Sequence, residues 1–590
     1  MSTSTLRRLT TLAFCLLAWA CQPAPERAPA GSPGEAAGAR VKALADEFVS
    51  AYFDRSPESA TLFGVPGRHH DKLTDNSLDA LKAWETREDA LLNRLRQIDP
   101  ARISPGTLRA TYAIARQALE GDVAKRICRD ELWPVSQMTG WQVNLGYLVT
   151  IQPVGTDEAR REAIARWSTL PAYIDREIVN LREGIGSGYT SPKLNVRIVI
   201  DQVRSLARTA VKDSPFGSPA QRDTTPEFKT AFTALVSDQI QPAMMRYADF
   251  LEKEYLPAAR EAIAVAAQPN GAKCYDASVL YFSSIAKTAK EVHELGLRQN
   301  DELATEMKAI GRKLFNVEDV PTILQRARTD PAFKFKSREE KIAYSQAALQ
   351  RAKEAVPGWF GLLPKADVVI RPYPAFREKN APNEYNPPAE DGSRPAVFFI
   401  SAYQAEKQSR VVDESTAFHE TIPGHHLQGA IALERKDIHP IGRYLSNSGY
   451  AEGWALYAER VADEMKLFSS DLDRLGMLSS QALRASRLVV DSGLHTLGWT
   501  RQQAIDYMMT HTAETPHDIE AEVDRYIIYP GQATSYMIGK LEISEARREA
   551  EASMGNRFDI KAFHDRVLED GGVPISYLRE KIKAWAGAAK

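Results

Sequence analysis
Cysteine is scarce in this chain, with four in 590 residues. No pair has Cys-x-x-Cys spacing, which excludes a zinc site built from cysteine pairs. A dominant charge of one sign is missing too. Lysine and arginine total 75 against 77 aspartates and glutamates, a formal net charge of −2, so there is no basic footprint for nucleic acid. The chain shows no internal repeat, no long low-complexity tract and no change of charge pattern between its halves. One extended unit therefore fits better than separate modules, although the length alone suggests several. Histidine is also sparse, eleven in all, and three of those eleven fall within eight residues.

The N-terminus reads as a targeting segment. Arg7 and Arg8 precede an apolar stretch from Leu12 to Ala20, too short to span a bilayer as a mature helix. Residues 1–20 are expected to be an export signal. Ala18-Trp19-Ala20 fits an ordinary cleavage site. Cys21, directly after a small residue, also resembles a bacterial lipobox, with Ala18 where leucine is usual. The favoured reading is lipidation at Cys21, a flexible tether over 21–40 rich in Ala, Pro and Gly, and attachment to the membrane through that anchor only. The destination is then the bacterial envelope, lipid-anchored facing the periplasm or else soluble there. Cys128 and Cys274 would meet an oxidising compartment. They could pair, but spacing does not show that they meet.

Most of the remainder reads helical. Phe228, Phe232, Leu235, Val236 and Ile240 recur at helical intervals. Proline and glycine punctuate such stretches, and Gln268-Pro269-Asn270-Gly271 suggests a lobe boundary near 270–280. The clearest strand is 396–403, opened by Pro395. It could take an extended peptide edge-on or lie buried within a sheet. The expected fold is mainly α, two lobes around a cleft within 41–590, with a small sheet beside the active-site helix.

The chemistry concentrates at Phe418-His419-Glu420-Thr421-Ile422-Pro423-Gly424-His425-His426-Leu427-Gln428. In H-E-x-x-H, two histidines four apart share a helix face and one zinc, and the glutamate activates water. Here the fourth residue on is Pro423. In an unbroken helix His425 would point about 120° away from His419 and sit roughly 9 Å along the axis, too far for Zn–N bonds of about 2 Å. Pro423 lacks the amide hydrogen the helix needs, and Gly424 allows unusual backbone angles. A kink or break at 423–424 is therefore expected to swing His425 back. His426 is the competing ligand, otherwise a substrate-holding or supporting group. A lone His-Glu pair is weak evidence, as His293-Glu294 illustrates; that pair reads as part of an amphipathic helix.

Glu452, 27 residues after His425, is the expected third ligand, flanked by Gly449 and Gly453, which permit close backbones. Glu459 and Glu464 are expected to be surface glutamates. Arg525 suits capture of a substrate carboxylate, with a structural ion pair as the alternative. Arg487, Asp491 and His495 are spaced to share one helix face; His495 would orient water or support an oxyanion, or else be a core histidine.

The 419–428 motif, Glu452-Gly453-Trp454 and Tyr529-Pro530-Gly531-Gln532-Ala533-Thr534-Ser535-Tyr536-Met537-Ile538-Gly539 together resemble the bacterial DUF885 proteins, over most of the mature chain and most sharply from about 395 to 540. That family is distantly similar to helical gluzincin peptidases of the thimet-oligopeptidase and Taq-carboxypeptidase types, which use H-E-x-G-H and a downstream glutamate. Matching Gly424-His425 to their Gly-His supports His425 and leaves two extra residues after Glu420. The resemblance implies a tyrosine-rich wall near the C-terminus, with Tyr536 as oxyanion donor or as a core tyrosine. The expectation is one Zn2+ per chain, replaceable by cobalt or manganese, and a hydrolase acting on a peptide or a small amide. A zinc amide or ester hydrolase on a non-peptide substrate and a non-catalytic, ligand-binding envelope lipoprotein are the alternatives.

Overall fold
Among the described residues the helical patterning becomes helix over 73%, with one small sheet of three strands. The computed structural model describes residues 33–588 except 105, 374–377 and 379–382. The export signal and Cys21 lie outside the described residues. The expected tether does so only in part: α1 (Pro33–Arg55) begins at residue 33 and buries Val41, Leu44 and Phe48, so 33–40 is structured. The site and its surroundings rest on α2 (Leu78–Arg96), α3 (Thr107–Lys125), α4 (Gly271–Ser283) and α5 (Ala289–Phe315), then α6 (Asp413–Glu420), α7 (His425–Glu434), α8 (Ser448–Glu464), α9 (Asp471–Thr496), α10 (Pro516–Ile528) and α11 (Ser535–Met554).

Local signals set these boundaries. A reciprocal capping box between Thr288 and Glu291 starts α5. Ser470 caps α9, and Thr515 with Pro516 opens α10. The Phe228–Ile240 stripe is buried as expected, on a helix that widens to a π turn at Val236–Ile240.

Residues 135–259 pack a core of their own. That core ends at Ala259, just before the sequence-based boundary at 270–280, which falls on α4; Cys274, Tyr275 and Val279 are buried in a second core shared with α9 and α11. α4 is also tied to the N-terminal helices by a disulfide between Cys128 and Cys274, 146 residues apart in sequence.

The sheet runs β1 (Val368–Pro372), β3 (Ala396–Ile400), β2 (Glu384–Asn386). β3 pairs parallel with β1, Val368 opposite Ala396, and antiparallel with β2, Glu384 opposite Phe399. Both edges of β3 are therefore taken, which excludes edge-on peptide binding along this strand. Its apolar side chains join Phe418 and Leu427 in one core, so the sheet stands beside the motif helices.

Candidate metal centre
The motif breaks where proline and glycine require it. α6 ends at Glu420 and α7 starts at His425, and the Ile422–Pro423 peptide between them is cis. Gly424 donates its N–H to the Phe418 carbonyl at 3.0 Å. A Cβ at Gly424 would lie 1.9 Å from the His419 carbonyl oxygen, so only glycine lets the chain double back this closely. The buried indole of Trp454, on α8, donates to the Pro423 carbonyl at 3.0 Å and fixes the junction.

The consequence is convergence. Glu452 Oε2 stands 3.2 Å from His425 Nε2 and 3.7 Å from His419 Nε2. The two imidazole rings are perpendicular, with centroids 4.9 Å apart. Ligand-type atoms of His419, Glu420 and His425 all lie within 4.8 Å of one another. Tetrahedral zinc with bonds of about 2.05 Å separates its ligand atoms by about 3.3 Å. The two separations to Glu452 bracket that value, so the donor types and these spacings suit a divalent ion such as zinc.

A residue expected at the surface completes the arrangement. Glu459 is fully buried, two turns beyond Glu452 on the same face of α8. Its Oε1 accepts from His419 Nδ1–H at 2.8 Å, and Ser480 and Gln481 donate to the same carboxylate at 3.1 Å each. This orients the ring with Nε2 toward Glu452 and, once Nε2 loses its proton, fixes the Nδ1–H tautomer, the usual support for a metal-ligating histidine. The spacing of seven from Glu452 was the available signal. Burial pulls the His419 imidazole down, but hydrogen bonds to Glu452 and Glu459 outweigh it and hold it at about 9. Burial raises the Glu452 carboxyl, yet His425 and His419 bring it well below the usual range. A pocket that draws a proton this strongly draws a divalent cation for the same electrostatic reason.

α8 is held by close backbone contact. A Cβ at Gly453 would lie 2.5 Å from the Gly539 carbonyl carbon, and one at Gly539 would lie 1.8 Å from the Gly449 oxygen. The glycines flanking Glu452 thus seat α8 directly on α11.

His426 is buried with both nitrogens occupied. Nε2–H donates to the Ala366 carbonyl at 2.9 Å and Nδ1 accepts from Tyr385 at 3.0 Å. Burial keeps the ring neutral, down at about 4. This corrects the expected ligand or substrate-holding role: His426 instead positions Tyr385 of β2. Burial, and after it the Glu420 charge, raise the Tyr385 hydroxyl.

His495 is corrected in the same way. Its Nδ1 accepts from Val265 N–H at 3.0 Å and its Nε2–H donates to the Tyr526 carbonyl at 2.9 Å. Arg487, Asp491 and His495 do share a face of α9, but they use it to fasten the segment around α10. Arg487 pairs with Glu522 at 2.8 Å, and Asp491 accepts from Gly531 N–H at 3.0 Å. Arg525 is likewise engaged, with Glu522, Gln532 and the Tyr536 hydroxyl.

Tyr536 is 8% exposed. The Arg487 guanidinium lies 4.4 Å from its ring centroid, with Arg484 at 6.0 Å and Arg525 at 5.9 Å. Among the described residues no hydrogen bond joins Tyr536 to His419, Glu420, His425 or Glu452. Arg484 connects the two neighbourhoods, since its charge also bears on His419 and Glu459.

A family model described as bacterial protein of unknown function (DUF885) matches residues 57–582. No curated protein matches. Among solved structures, a "putative lipoprotein" from Colwellia psychrerythraea aligns with a TM-score of 0.86 at 23% identity, covering 94% of this chain and 99% of that one. A second, from Shewanella oneidensis and described as of unknown function, aligns with a TM-score of 0.71 at 18% identity, covering 91% and 98%. At these identities the likeness is one of fold.

Proposed function
The chain belongs to the DUF885 family of bacterial proteins of unknown function, and we propose that it is a zinc-dependent hydrolase that cleaves peptides. The observation that carries this reading is the meeting of His419 Nε2, His425 Nε2 and Glu452 Oε2, with the Glu420 carboxylate beside the two histidines. When bound, zinc supplies Lewis acidity toward a carbonyl and makes water nucleophilic at neutral pH. His419, His425 and Glu452 would hold it, with Glu459 orienting His419. Glu420, outside that ligand set, accepts the proton of the attacking water and returns it to the leaving amine. Arg484, whose charge bears on His419 and Glu459, adds positive potential that suits a developing oxyanion. Glu420 weighs against a purely structural or ligand-binding site, which needs ligands but no base.

The first test is metal content of purified residues 22–590. About one zinc per chain is expected, and much less in His419→Ala and Glu452→Ala. Glu420→Gln should retain zinc and lose turnover on a panel of peptides, acyl amides and esters; a fully active variant would sink the assignment. Turnover confined to the esters or non-peptide amides would move the substrate class and leave the site intact. We further propose that the protein is exported and lipid-anchored at Cys21. Both solved neighbours are described as "putative lipoprotein". Labelled palmitate should be incorporated by the parent and lost in Cys21→Ala.

A further inference from the structure
A cavity of about 590 Å³ opens between the N-terminal helices and Tyr529–Pro530, lined by none of the metal-centre residues. Six aromatic side chains line it: Tyr52, Trp84, Trp133, Tyr281, Phe282 and Tyr529. Tyr281, Phe282 and Tyr529 meet edge to face, with centroids 4.9 and 5.2 Å apart. Five acids line it as well, Glu85, Glu88, Asp122, Asp130 and Glu131, and two of them, Glu88 of α2 and Asp122 of α3, lie together in the wall.

These acids are short of counter-charge. Glu88 is 2% exposed. Its Oε2 accepts from Arg126 at 2.9 Å, while its Oε1 is buried with no cationic partner, Asp122 and Trp84 being its polar neighbours. Arg126 is shared with Asp89 at 2.8 Å and Glu85 at 3.8 Å, so one guanidinium faces three carboxylates. Asp122 adds a fourth acid, and among the described residues no ion pair includes it. The other cations of the wall are committed elsewhere. Lys125 pairs with Asp130 at 2.5 Å, and Arg55 donates to the Asp75 carbonyl at 2.6 Å, its charge shared among Asp75, Glu58 and Glu88.

Buried carboxylates without enough counter-charge take up a proton or a cation. A small metal ion calls for a cage of oxygen ligands. Aromatic walls suit instead a cation on an apolar stem, through the negative faces of the rings. We propose that this cavity binds a ligand bearing a primary ammonium group, seated between Glu88 and Asp122 with its carbon stem against the aromatic walls. Burial and the adjacent Glu88 push the Asp122 carboxyl far above the usual carboxylate range, so the free pair holds a proton that an arriving ammonium displaces. The site is independent of the metal centre and of the activity assigned there.

Two sources of such an ammonium are the amino terminus of a peptide and a lysine side chain. Three lysine amides separate them in calorimetric titrations of the full mature chain: Nα-acetyl, with the side-chain amine free; Nε-acetyl, with the α-amine free; and the doubly acetylated form. At least one free-amine form is expected to bind about tenfold or more tightly than the doubly acetylated form, and to release a proton, read from the dependence of the heat on buffer. The form that binds names the source. Asp122→Asn, which keeps shape and removes charge, should weaken that binding by a similar factor; Glu88→Gln serves if Asp122→Asn does not fold. Equal binding of all three amides, no binding of any, or undiminished binding by a folded variant would overturn the proposal.

Discussion
Glu459→Gln separates metal holding from chemistry. The carboxylate is fully buried and accepts three hydrogen bonds, from His419, Ser480 and Gln481. Glutamine keeps the volume and one acceptor oxygen. It turns the other end into a donor pointed at groups that already donate, at a cost of about 1–3 kcal/mol for the unsatisfied contacts. It also removes the negative charge that makes His419 a stronger base. Loss of such a supporting carboxylate weakens metal binding by about 10–100-fold, or about 1.4–2.7 kcal/mol at 1.36 kcal/mol per decade. Competition with a zinc-sensitive chelating dye at pH 7 reads this directly. Glu459 touches neither substrate nor water in the proposed scheme, so kcat at saturating zinc should stay within a few-fold of the parent. Glu420→Gln should do the opposite, with zinc affinity kept and kcat lost. A Glu459→Gln protein that binds zinc as tightly as the parent would refute the supporting role and the tautomer argument with it.

Other outcomes follow from the same contacts. In metal-free protein His419 sits at about 9, above its ordinary 6.5, so its contribution to stability is full below pH 6.5 and is lost as pH rises through about 9. Thermal unfolding with and without chelator should show that loss only in the metal-free protein. Zinc must displace the same proton, so apparent affinity should rise up to about tenfold per pH unit below about pH 9; affinity independent of pH would contradict this. Gly453→Ala puts a methyl 2.5 Å from the Gly539 carbonyl carbon, and should cost about 1–3 kcal/mol in urea unfolding and weaken zinc binding by displacing Glu452. Reduction of Cys128–Cys274, which spans 146 residues, should remove about 5 kcal/mol by the chain-entropy relation, seen as a lower Tm in dithiothreitol.

The reach and the blindness of the sequence have the same origin, which is whether the deciding partner is near in the chain. The break at Pro423-Gly424 was legible because a missing amide hydrogen and a missing Cβ are properties of those residues wherever they occur. The selection of His425 followed from the break. His426 and His495 were not legible, because their roles depend on what both ring nitrogens meet. Those partners, Ala366 with Tyr385 and Val265 with Tyr526, lie 31 to 230 residues away. β3 was recognisable as a strand from its apolar run, but nothing in that run distinguishes a centre from an edge. Glu459 was missed although its spacing from Glu452 was in view, since a charged residue on a helix reads as solvated until a buried donor is found for it. The turn signal behind the soft boundary at 270–280 marks a bend in the chain, and it falls next to the passage from the core of 135–259 to the one that α4 shares.

Trp454 gives the metal centre a dependence that its ligand set does not show. The indole that clamps the Pro423 carbonyl belongs to the helix that carries Glu452, so one rod both contributes a ligand and latches the hinge that delivers another. If the latch slipped, His425 would swing free while His419 and Glu452 stayed, and under the proposed ligand set a bound ion would be left with two protein ligands. Departure and capture of the metal would then be gated at a peptide carbonyl rather than at any side chain that touches it.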